Sequence, residues 1–268
     1  MGVLKDKRIC GIAAGSLTSA VFCSISLIVV LNFLKGTPWY IFSSALRLVF
    51  GLVVLYLLKK LYDKDAKEVF RFNDPKSAFA ASAGFLIFFV YTAASFCIGA
   101  KTVTGLTAGL LISRVILQQL TTGFYEEILF RALMCEGYRY TKGGTAIKLG
   151  FALFSSVIFG AVHILTVWDI TRFIETGMIG FAFAVVYLQT GNIILPMILH
   201  FVYDVIINFG NYIEWRETEI FSVMLSWRTA AYAVMFVVSL IILIRKEKTE
   251  NTPYGGKHED TYSQARGA

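Results

Sequence analysis

The sequence predicts an all-α polytopic membrane protein, with about eight transmembrane helices and a polar site buried between them. Three observations carry this. Hydrophobic residues make up 56% of the 268-residue chain and charged residues only 16%, and mean hydropathy is +0.65. A soluble domain carries about 25% charged residues, so this chain could not cover a water-facing surface. Apolar stretches near the roughly 20 residues that cross a bilayer recur along it. Finally, Glu, Arg, His and Asp occur inside some of those stretches. With 23 Phe, 13 Tyr and 4 Pro, disorder, collagen and disulfide-rich scaffolds are excluded.

The expected spans, in order, are residues 9–34, 39–58, 77–100, 112–137, 149–167, 177–190, 193–209 and 229–244. The first is too long for the roughly 7–15-residue core of a cleaved signal peptide, so it reads as a retained helix. The sixth and seventh are separated only by Gly191-Asn192, a tight helical hairpin. Eight spans place both termini on one side. Most of the 25 Lys and Arg gather there: Lys5, Lys7 and Arg8, the loop 59–76, Arg139, Lys142 and Lys148, and the segment after Ile244. By the positive-inside rule that side is cytoplasmic, in a cell membrane. The same asymmetry explains the net charge of +7, so nucleic acid is not an expected partner. The lipid bilayer is. Residues 1–248 form one membrane domain and 249–268 a polar, flexible tail. The loop 59–76 reads as a solvated basic loop. Cys10, Cys23, Cys97 and Cys135 show neither CxxC spacing nor clustering with His, and read as small buried hydrophobes.

Charges inside a bilayer cost about 2.5–3.5 kcal/mol each on insertion scales, and here they concentrate on three spans. The fourth contains Glu126, Glu127 and Arg131, the fifth His163, the seventh His200 and Asp204. These helices can bury such groups only by facing one another. Glu127 and Arg131 are four residues apart, stack on one helix face and can pair. Glu126 is rotated about 100° away and faces elsewhere, as a candidate base. His200 and Asp204 share the same four-residue spacing. Such a set can activate water and stabilise an oxyanion, or hold a divalent metal through His and carboxylate. No HExxH and no GxSxG occurs. Arg114 reads as reaching an interface, while Arg47 has no evident partner. A proton-coupled transporter would also use such groups, but neither internal repeats nor broken helices are evident.

Glu126-Glu127-x-x-x-Arg131, Phe159-x-x-x-His163 and His200-x-x-x-Asp204 resemble the three signature motifs of the CPBP (CAAX protease and bacteriocin-processing, or Abi) family. The stretch from Tyr187 to Pro196 resembles the approach to the last motif, and the likeness runs over about residues 115–208. The resemblance implies an intramembrane endopeptidase, related to the type II CAAX prenyl protease and putting water onto membrane-associated or prenylated peptides. It implies that Glu126 and His163 activate the water, that His200 and Asp204 support the oxyanion, and that Arg131 orients the glutamates. It also implies an alternative, a non-catalytic bacteriocin-immunity or scaffold protein. A divalent metal such as zinc would be held by His163, His200 and Asp204. Asp204 stands where eukaryotic members carry Asn. An ionised Asp cannot donate to an oxyanion, so Asp204 is expected to orient His200 or bind the metal.

Overall fold

The computed structural model describes residues 6–250 apart from Asn73, Thr166 and Val167, with side chains as far as Arg245. The expected tail therefore lies almost wholly outside the described residues. Helices dominate. They are α1 (Cys10–Asn32), α2 (Thr37–Tyr62), the short α3 (Ala66–Val69), α4 (Pro75–Ala81) and α5 (Ala83–Gly99). A long helix, α6, follows over residues 108–133, then α7 (Gly144–His163), α8 (Ile170–Thr190), α9 (Ile194–Gly210), α10 (Glu219–Ser226) and α11 (Arg228–Glu250). Two short strands, β1 (Ala100–Val103) and β2 (Ile213–Trp215), pair antiparallel.

Five helical stretches are long and apolar enough to cross a membrane, and α4 with α5, bent by 54°, makes a sixth. The seventeen-residue α9 is apolar but shorter, and α6 carries the charges and is interrupted by π-helical turns. Contacts at the two ends show that the chain passes through the bundle eight times within the described residues. At one end, the Gly11 amide donates to the Tyr62 hydroxyl at 3.0 Å. There too Lys64 reaches Glu136 at 2.9 Å and Gln189 reaches the Leu243 carbonyl at 3.1 Å. At the other end β1 pairs with β2, and Arg114 donates to the Tyr212 hydroxyl at 3.1 Å. The beginning of α1 and the end of α11 thus share the end that carries the basic loop.

Several boundaries differ from expectation. The third span is bent, because Ser82 ends α4, its amide bonded back to Ala78 and its hydroxyl to the same carbonyl. The fifth starts earlier and ends at His163, and the sixth begins at Ile170, where Asp169 caps the helix by accepting from the Arg172 amide. Gly191, at φ 67°, ends α8 in the left-handed region that an L side chain enters at a cost. The loop 59–76 is more ordered than expected. Asp65 and Glu68 form a reciprocal capping box on α3. Arg114 lies over the Tyr40 and Tyr212 rings, each 5.5 Å away. The four cysteines are unpaired: Cys10 and Cys135 are buried, while Cys97 is exposed, not buried as expected.

α8 runs through the centre. Its stretch from Ile179 to Leu188 is buried on every face, as a helix hydrophobic all round must be. The outer helices leave Leu17, Leu52, Leu86, Val157 and Val237 exposed. The apolar surface faces outward and the polar residues turn in, as a protein dissolved in lipid requires.

Glu136 knits the basic end together. It is buried and accepts from Lys64 (2.9 Å), from the Tyr187 hydroxyl (2.6 Å) and, on its other oxygen, from Arg139 (3.1 Å). Burial pulls the Lys64 ammonium below its ordinary value, and Glu136 opposes that pull. Glu136→Ala strands two cations and a hydroxyl. The expected cost is about 3 kcal/mol, read as a lowered unfolding midpoint in detergent; Lys64→Met, which leaves Glu136 with Arg139, costs much less. An unchanged midpoint in Glu136→Ala would remove this network from the account of stability.

Candidate active site

Glu126 and Glu127 lie where α6 passes from α-helical (Gln118–Glu127) to π-helical turns (Ile128–Leu133). There the Met134 amide bonds to the Leu129 carbonyl, five residues back, and π turns of this kind recur at functional sites. Gly123 lets α6 approach α9. A Cβ there would stand 3.0 Å from the Met197 carbonyl oxygen and 3.6 Å from His200 Cβ. Gly160 does the same between α7 and α8, where a Cβ would stand 2.7 Å from the Phe173 carbonyl oxygen.

Glu127 and Arg131 have no exposed side-chain surface, and Arg131 Nε stands 3.2 Å from Glu127 Oε2. The two atoms are not aligned for a hydrogen bond; the contact is an ion pair held by charge and packing. The Arg131 guanidinium lies over the rings of Phe159 (4.6 Å), Phe183 (5.5 Å) and Phe130 (5.7 Å). Its Nη1 faces the Ser155 hydroxyl at 3.4 Å, and Ser155 itself donates to the Phe130 carbonyl at 2.8 Å. Ser155 is therefore a fastening between α6 and α7.

The other Glu127 oxygen binds across to α9. Glu127 Oε1 lies 2.7 Å from His200 Nδ1. A carboxylate accepts, so Nδ1 carries a proton and His200 turns Nε2 away from Glu127. The ring stacks on Phe183 at 4.8 Å and 19°. Nε2 then faces Asp204 Oδ2 at 3.5 Å and Glu126 Oε2 at 3.8 Å. His163, the last residue of α7, follows the same logic. Its Nδ1 lies 2.6 Å from the Phe159 carbonyl, which can only accept, so Nδ1 is the donor. Its Nε2 faces Glu126 Oε2 at 4.0 Å.

The four functional side chains thus converge from three helices, and the Glu126 carboxylate is the common neighbour of both imidazoles. Glu126 Oε2 is buried with no hydrogen-bond partner among the described residues. Separations of 3.8 and 4.0 Å are too long for direct bonds. Side-chain exposures of 23% for His163 and 16% for Asp204, against 3% for His200, put the open side of the site at His163 and Asp204.

The expected metal-ligand set does not gather. Among the described residues no three His, Cys, Asp or Glu side chains converge in a way that could hold a metal ion. Ligands at about 2.0–2.2 Å around a tetrahedral zinc stand roughly 3.3–3.6 Å from one another. His200 and Asp204, at 3.5 Å, meet that spacing; His163 turns Nε2 to Glu126 at 4.0 Å and spends Nδ1 on the Phe159 carbonyl. His163, His200 and Asp204 are therefore not gathered as a three-ligand set in this structure.

Charge pairing across helices was legible in part. The bond of Glu127 to His200 was not, since it depends on how helices pack; the bond of His163 to the Phe159 carbonyl lies within α7 and needs a side-chain rotamer that spacing does not fix.

A buried glutamate thus faces two oriented imidazoles inside an all-α bundle. Residues 107–206 match the family model described as type II CAAX prenyl endopeptidase Rce1-like. The match takes in all six site residues, and the family is one of CAAX-type membrane endopeptidases. No curated protein and no solved structure matches the chain.

Proposed function

We propose that this protein cleaves peptide bonds of membrane-associated polypeptides, prenylated ones included, using a water activated by Glu126 and His163. The observation that supports this most is the position of Glu126 Oε2, without a partner and facing the Nε2 atoms of both imidazoles. A water held between Glu126 and His163 gives its proton to the Glu126 carboxylate as its oxygen bonds to the substrate carbonyl carbon. Glu126 then passes that proton to the amide nitrogen as the C–N bond breaks. The imidazolium form of His200 donates through Nδ1 to Glu127 and through Nε2 to the oxyanion. Asp204 beside Nε2 orients that ring and supports its charge, and Arg131 holds Glu127 in place. No step passes through a metal.

Two measurements test this reading. Purified protein should cleave an S-farnesylated or plain fluorogenic peptide in detergent or liposomes. Glu126→Ala and His163→Ala should each lower that rate by about 10²-fold or more; hydrolysis that survives in both variants sinks the proposal. An active preparation should also contain far less than one equivalent of divalent metal and resist chelators. A full equivalent, lost in His163→Ala and His200→Ala, would replace this mechanism by a metal-assisted one.

A further inference from the structure

A second cavity lies away from the site, at the end of the bundle that carries the basic loop. Its volume is about 380 Å³, within the roughly 300–1,000 Å³ of small-ligand sites. The chain leaves α2 at Tyr62, runs on from α6 through residues 136–140, and turns from α8 towards α9 at Gly191. Residues from all three places line the cavity. Helix ends gathered at one level mark the edge of the hydrocarbon, where lipid headgroups begin. Aromatic rings favour that level, and Tyr140 stands there. It stacks on Tyr62 at 5.5 Å and 21°, stays 41% exposed and carries the Lys7 ammonium over its ring at 5.1 Å.

Lys64, Arg71 and Arg139 face this cavity, and so do Asp63, Glu68 and Glu136. The two signs are not equally available. Asp63 is held by Lys59 at 2.7 Å. Glu68 accepts from the Asp65 amide at 2.9 Å, closing the capping box of α3. Glu136 has both oxygens taken, by Lys64, Tyr187 and Arg139. The cations keep donors in hand. Arg139 meets Glu136 through Nε, and among the described residues no hydrogen bond takes its terminal nitrogens. A Cβ at Gly191 would stand 2.9 Å from Arg139 Nη2, so the bare turn is what admits the guanidinium. Arg71 is exposed on the loop and has no acidic partner among the described residues. With the carboxylates spent and two forked guanidiniums unfilled, the cavity is built for an anion, and a phosphate suits such forks. Basic pockets between helix ends take anionic lipid headgroups. We propose that this cavity binds the phosphate of an anionic phospholipid, held between Arg71 and Arg139. None of the six site residues lines it, so the proposal stands apart from the endopeptidase reading. The bound headgroup ties the loop 59–76 to the segment after α6, beside the Lys64–Glu136 bridge.

The test uses the full chain in an uncharged detergent, titrated with dioctanoyl phosphatidylglycerol or dioctanoyl phosphatidylcholine. The readout is the unfolding midpoint, which a ligand of the folded state raises by mass action. Both lipids carry a phosphate diester, but the choline cation cancels the charge of the second. Phosphatidylglycerol should raise the midpoint saturably, with an apparent Kd about tenfold or more below that of phosphatidylcholine. Arg71→Gln and Arg139→Gln should each weaken it about tenfold, and Arg139→Lys should keep part of the affinity. Lys142→Gln, at the same end but outside the cavity lining, should change nothing. Arg71→Gln breaks no ion pair, so it decides the matter even where Arg139→Gln fails to fold. Equal shifts by the two lipids, or a preference that survives Arg71→Gln, overturns the site. An equal loss in Lys142→Gln also overturns it, by assigning the attraction to the whole basic surface. Glycerol phosphate that acts at the same concentration as the lipid overturns the lipid as occupant and makes the ligand a soluble phosphate ester.

Discussion

Glu126→Gln is expected to leave the bundle folded and to lower peptide hydrolysis by about 10²–10⁴-fold, while Glu127→Gln, one residue on, destabilises the whole protein. The two substitutions are chemically identical, and the environments make them opposite. Glu126 Oε2 has no hydrogen-bond partner among the described residues, so an amide there removes a base without breaking a hydrogen bond. Glu127 has no exposed side-chain surface and stands between two groups, Arg131 at 3.2 Å and His200 at 2.7 Å. Removing its charge leaves a fully buried guanidinium uncompensated. Breaking a buried pair in this way costs about 3–5 kcal/mol, or a fall of about 10 °C in unfolding midpoint for a chain of this size. Parallel hydrolysis assays and thermal unfolding in detergent decide it. If Glu127→Gln melts like the unsubstituted protein, the Arg131–Glu127–His200 chain is not what holds these helices together. If Glu126→Gln melts early, Glu126 has a structural duty that the geometry does not reveal.

This contrast also marks how far the sequence could be read. Two adjacent glutamates on a helix point about 100° apart, so their separate roles follow from spacing alone. The pairs Glu127–Arg131 and His200–Asp204 follow from the four-residue repeat, and the convergence of three charged spans follows from the cost of charge in lipid. Contacts between helices do not follow. Nothing in the spacing says that Glu127 spends its second oxygen on His200, or that Phe183 stacks on that ring. The π turns of α6 and the bend at Ser82 depend on local hydrogen bonding that apolar periodicity does not encode. Arg47 was conspicuous as an intramembrane charge, but its neighbours Phe22 and Tyr125 come from two other helices. The end of α7 was set too far along the chain. A hydropathy pattern cannot separate a helix that stops at His163 from apolar chain that continues beyond it.

Gly123 connects packing to chemistry most directly, and Gly123→Val is expected to lower kcat by about 10²-fold in a protein that still folds. Gly123 sits one turn before Glu126 and Glu127, facing α9. The first atoms a Cβ would meet are the Met197 carbonyl oxygen at 3.0 Å and the Phe201 amide nitrogen at 3.3 Å, with His200 Cβ at 3.6 Å. Two of the three are backbone, so no side chain can swing aside, and the helices must part. An Ala methyl asks for a few tenths of an ångström; the γ carbons of Val ask for about 1 Å. Overpacking of that kind costs about 1–3 kcal/mol, which a helix bundle can absorb. The site cannot, because the Glu127–His200 bond of 2.7 Å spans this interface, and both imidazoles are aimed at one carboxylate oxygen. A displacement of about 1 Å in a catalytic group can cost about 10²-fold in rate. Gly123→Ala should therefore fall between, at about tenfold, with KM nearly unchanged in both variants because the loss is one of alignment. Steady-state kinetics on one peptide decide it. A series in which KM rises while kcat holds would move Gly123 from the catalytic interface to the substrate path.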